Sequence, residues 1–189
     1  LSSPPGQPIK KVQPHLYVKI DQCRLFDLER IYRAFTIVRQ KYPRIELTIS
    51  AGEDSMKSVE SFLKRSGINS DLGVHFGTDM STDTPSPVDI TICLDTKQSF
   101  PLSLLSAWRS GTPALVPSYS LAFSMIKDRQ NGMVYSEYGV GSLADTIIEL
   151  VEDQSLVQQL SAQGLKESEA FDWPTLRSRW WSILTPPSM

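Results

Sequence analysis

Cysteine and histidine are scarce, with two of each in 189 residues. Cys23 and Cys93 are too few for a disulfide framework or a zinc scaffold, and His15 and His75 exclude a multi-histidine metal centre. No run of 18 apolar residues occurs, which excludes a spanning helix. Neither sign of charge dominates: the net charge is −2 and the isoelectric point about 5.7. That argues against a nucleic-acid binder held mainly by phosphate contacts. A P-loop, a GxGxxG turn and a Ser-His-Asp spacing are also missing.

What is present is ordinary globular composition, 40% hydrophobic and 21% charged. A chain of this length buries about 70% of its unfolded surface, enough for a core without staples. Residues 1–14 read LSSPPGQPIKKVQP, with four prolines and no apolar core. They are expected to be a linker or tail, as are residues 185–189. Charge is unevenly spread. Residues 1–66 carry 12 Lys/Arg against 7 Asp/Glu, a net +5, and residues 67–189 carry 7 against 14, a net −7.

Strand and helix patterns alternate. Short apolar or β-branched runs at 15–20, 45–50, 72–76, 88–94, 112–116 and 133–136 predict six strands. The density of VDITICL at 88–94 predicts burial on both faces. Three- and four-residue spacing predicts helices at 27–42, 54–65, 100–111, 142–151, 155–168 and 173–184, with a further candidate at 121–126. Asp54 or Ser55 is expected to cap the second helix, and Gly111 to end the third. Residues 80–87 (MSTDTPSP) predict a loop. This alternation predicts an α/β fold, a Rossmann-like doubly wound parallel sheet of about six strands, over residues 15–184. Ligands then sit beyond the C-terminal strand ends. That singles out residues 19–27, 51–55, 95–103, 117–121 and 137–142.

Residues 98–113 read QSFPLSLLSAWRSGTP and residues 128–134 DRQNGMV. With Ala34-Phe35, Tyr42-Pro43 and Phe171-Asp172-Trp173 at matching places, the chain resembles the C-terminal, donor-binding domain of GT-B retaining glycosyltransferases of family 4 (glycosyl transferases group 1). The resemblance implies one half of a two-domain cleft enzyme that transfers a hexose from a UDP- or GDP-sugar to a glycan or lipid-linked acceptor. It implies no cofactor beyond that co-substrate, and a half that is inactive alone. It implies an N-terminal GT-B domain as partner in the same or another chain, and a last helix that crosses back onto that partner. A cytoplasmic location and a role in polysaccharide biosynthesis follow by the same resemblance, with peripheral membrane contact only through the parent protein and no nucleic acid.

Carried onto this sequence, the family's first motif glutamate falls on Gln98, the catalytic position, and the glycine after it on Ser99. The second glutamate, which takes the ribose hydroxyls, falls on Ser106. Phe100, Pro101, Leu102 and Ser103 open the helix whose backbone N–H groups face the diphosphate. Lys19 and Arg24 stand in for the family's basic pair, with Asp21 between them as a repelling charge. Gln98 keeps hydrogen bonding but has no charge to stabilise a positive centre. Two outcomes follow: a divergent member with altered donor contacts, or a degenerate, non-catalytic domain with a structural or protein-interaction role. The family's helix between the third and fourth strands is also expected to be missing.

The remaining polar and small residues carry weaker expectations. His75 is expected to be a packed histidine, and Cys93 a small core residue. Asp89 and Asp95 flank the fourth strand, Asp95 at its ligand end. Gly139 and Gly141 are expected in a plain loop. Trp173 and one of Trp180 and Trp181 are expected inside, with the other at an interface.

Overall fold

The computed structural model describes residues 13–20, 25–65, 67, 73–77, 88–94, 100–136 and 139–185. Residues 1–12 and 186–189 of the expected tails, the 80–87 loop, Cys23 and Asp95 lie outside them.

Six strands form one sheet in the order β3-β2-β1-β4-β5-β6. They are β1 (His15–Ile20), β2 (Glu46–Ala51), β3 (Val74–Gly77), β4 (Ile90–Cys93), β5 (Ala114–Pro117) and β6 (Met133–Tyr135). Every pairing is parallel. The order runs outward from β1 and reverses between β1 and β4, as in a doubly wound nucleotide-binding sheet. The expected α/β class and strand count therefore hold. β4 and β5 are buried at all four positions, as central parallel strands are.

Helices cover both faces. α1 (Leu25–Lys41), α2 (Glu53–Arg65) and α4 (Val140–Glu152) share one core with the sheet. Leu28, Ile31 and Phe35 of α1 meet Leu143, Ile147 and Leu150 of α4 and Met56, Val59 and Leu63 of α2 there. On the other face α3 (Leu102–Ser110) places Leu104, Ala107 and Trp108 against Cys93, Ala114 and Val116. Cys93 is thus the small core residue expected. α5 (Gln154–Ser168) begins in the first core with Leu156, Val157 and Leu160 and runs on against α3. α6 (Trp173–Leu184) ends the described chain.

Several boundaries move. α2 begins at Glu53 because the Gly52 carbonyl accepts from the N–H groups of Ser55 and Met56; Asp54 and Ser55 lie inside the helix and do not cap it. Residues 121–126 form only a 3₁₀ turn, Leu121–Met125. Gly139 precedes α4 and Gly141 lies within it. Gly111 does end α3, at φ 69°, where a side chain would be strained. Its N–H bonds Trp108 O, and that of Thr112 bonds Ala107 O. No helix is described between β3 and β4, and residues 78–87 lie outside the described set.

Two ties fix the helices. Tyr42, just past α1, donates its hydroxyl to Glu152 at the end of α4 at 2.5 Å. Partial burial and that carboxylate push the phenol up to about 12. The folded value lies above the ordinary 10, so this tie contributes fully below pH 10 and is lost as pH rises through 12. On the opposite face, a Cβ at Gly164 of α5 would stand 2.5 Å from Trp108 Cδ1. The indole cannot swing aside, because its Nε1 donates to Asn131 O at 2.8 Å. Gly164→Ala is therefore expected to cost about 1–3 kcal/mol of stability by overpacking, read from chemical denaturation.

Two expectations about the surface fail. His75 is not packed: its side chain is 56% exposed, 3.8 Å from Glu46. It sits on β3, the sheet's edge strand, between buried Val74 and half-buried Phe76. Trp173, Trp180 and Trp181 are 72%, 61% and 68% exposed, and α6 buries no residue at all. None of the three is inside.

Candidate functional site

The strand order reverses between β1 and β4, and the crevice beyond their C-terminal ends is where such a sheet takes a ligand. Four described pieces frame it: the last residues of β1, the first turn of α1, the start of α3, and the turn after β5.

Lys19 is next to last in β1. It is half-buried and registers with Ser50 of β2 and Cys93 of β4, so it stands on the strand that flanks the crevice. Arg24, Gln98 and Ser99 lie outside the described residues.

The α3 end is built from Phe100 onward. Pro101 is buried and precedes the helix without a side-chain cap. The first turn carries no acidic residue. Leu102 N–H bonds Phe100 O at 3.0 Å and Leu105 N–H bonds Pro101 O at 3.1 Å. Leu102 is 45% exposed, while Ser103 and Ser106 are half-buried. A helix start with no carboxylate presents a positive dipole end suited to an anion. Phe100 is fixed from behind by Phe171, ring centroids 5.3 Å apart and edge-on. Arg109 and Asp172 pair across the same contact at 3.9 Å.

A buried polar cluster joins two of the loops singled out by the sequence, 19–27 and 117–121. Tyr119 donates its hydroxyl to Asp27 Oδ1 at 2.5 Å. Asp27 is 1% exposed, in the first turn of α1, and Arg30 approaches the same oxygen at 3.8 Å. Tyr135 lies beside them with its phenol pushed up, by burial first and then by Tyr119 and Asp27. The cluster pins the β5 turn to α1 and so fixes one wall of the crevice. Sequence reasoning missed Arg30, Tyr119 and Tyr135. The one local signal is the three-residue spacing from Asp27 to Arg30.

Two other expected features are structural. Asp89 accepts from the His15 backbone N–H at 2.7 Å, at the opposite, N-terminal end of the sheet. Burial raises its carboxyl, and that hydrogen bond holds it down in part. Asn131-Gly132, within the 128–134 stretch, closes the connection to β6. Asn131 Oδ1 accepts from Lys127 N–H at 2.7 Å and its Nδ2 donates to Met125 O at 3.1 Å. No group of three or more metal-ligating side chains occurs among the described residues. No described helix is long and apolar enough to cross a membrane.

This is the architecture of a doubly wound domain with a crevice suited to an anionic ligand. The sequence matches the family Glycosyl transferases group 1 over residues 26–167, and the chain belongs to it. The C-terminal domain of a group 1 glycosyl transferase, LpcC of Francisella tularensis, is 20% identical with a TM-score of 0.63. The match covers 87% of this chain and 89% of that one. Alr3699/HepE of Anabaena, solved in complex with UDP and glucose, is 14% identical at a TM-score of 0.72, over 92% of this chain and 48% of that one. WaaG, a glycosyltransferase involved in lipopolysaccharide biosynthesis, is 17% identical at 0.69, over 94% and 48%. The chain thus spans about half the length of the last two. No curated protein matches this sequence.

Proposed function

We propose that this chain is the donor-binding half of a GT-B retaining glycosyltransferase of family 4, with residues 15–184 as the domain that grips a UDP- or GDP-hexose. The observation that carries the reading is the crevice at the strand-order reversal. There an acid-free start of α3 sits across from the start of α1. Two helix N-termini facing one crevice suit a diphosphate. HepE, of the same fold, holds UDP and glucose in its solved complex, which supports the nucleotide-sugar class.

Gln98 and Ser106 stand where the family carries its two glutamates. Gln98 meets the sugar hydroxyls by neutral hydrogen bonds, and Ser106 reaches the ribose through a water. Lys19 and Arg24 supply the basic pair. The acceptor side comes from an N-terminal domain, of this polypeptide or a partner. α6 fits such a contact, with Trp173, Trp180, Trp181, Ile183 and Leu184 all exposed. The same helix favours the second reading, a non-catalytic domain that works by protein contact.

A thermal-shift titration with UDP, GDP and ADP separates the two. Nucleotide at 100 times its dissociation constant is expected to add about 2.7 kcal/mol, a rise of roughly 5–10 °C in a chain of this size. A rise with one base names the donor. No rise with any of the three contradicts the donor-binding reading and leaves the contact role.

A further inference from the structure

We draw no further inference here: the strongest candidate, the exposed apolar face of α6 around Trp173, Trp180 and Trp181, carries none beyond the contact proposed above, because nothing in the structure shows what covers it.

Discussion

Trp108→Ala is expected to lower the unfolding free energy by about 3–5 kcal/mol, the range for removing a large buried aromatic. Trp108 is 2% exposed and is the largest side chain of the second core. It also carries one directional bond, Nε1–H to Asn131 O at 2.8 Å, which ties α3 to the connection before β6. Its face packs on Gly164 of α5, so truncation opens a cavity between two helices and the sheet. Trp108→Phe is expected to keep most of the packing and lose about 1–2 kcal/mol for the unmet Asn131 carbonyl. The arrangement also predicts a coupling. Combined with Trp108→Ala, Gly164→Ala is expected to cost less than it does alone, because its Cβ enters the space the indole leaves. Urea denaturation of the four proteins measures all of this. Costs for Trp108→Ala and Gly164→Ala that simply add contradict the contact.

Asp27→Ala is expected to be as costly, about 3–5 kcal/mol. Removing one partner of a buried ion pair leaves the other charge without compensation. Here two groups lose their anchor at once. Arg30, its guanidinium 9% exposed, loses the carboxylate 3.8 Å away, and Tyr119 loses the acceptor 2.5 Å from its hydroxyl. Asp27→Asn keeps an acceptor for Tyr119 and gives up only the charge, so it is expected to cost less than the alanine. Tyr119→Phe tests the other end. It is expected to cost about 1–3 kcal/mol through loss of the buried hydrogen bond to a charged acceptor. A loss under about 1 kcal/mol for Asp27→Ala contradicts the cluster as a structural tie.

The sheet was legible because parallel central strands are buried on both faces and read as unbroken apolar runs. ITIC in β4 and ALVP in β5 are such runs. Burial at an edge was not legible. VHF looks the same in a central strand as in β3, and the strand order decides that His75 faces solvent. The tryptophans of α6 show the same limit. Hydrophobicity says that a residue needs cover, and the residues of α6 do not say whether that cover belongs to this domain. For the site, strand alternation singled out the loops at 19–27 and 117–121, which the structure joins through Asp27 and Tyr119. The pairing itself spans 92 residues of sequence, and no local pattern announces it. The helix start at Pro101 and Leu102 was legible from its proline and the closing Gly111. Of the residues carried over from the family, Arg24, Gln98 and Ser99 lie outside the described residues. Lys19 stands on β1, Phe100 and Pro101 lead into α3, and Leu102, Ser103 and Ser106 stand on α3, the pieces that frame the crevice.

Hydrogen exchange of the full chain with and without saturating UDP tests the central claim, that the crevice between β1 and β4 takes the nucleotide, most directly. The account predicts slowed exchange in the first turns of α1 and α3 and in the turn at 118–120. It predicts no change at the opposite sheet end, around His15, Glu46 and Asp89. Protection confined to α6 or to that opposite end, or none anywhere, would contradict it.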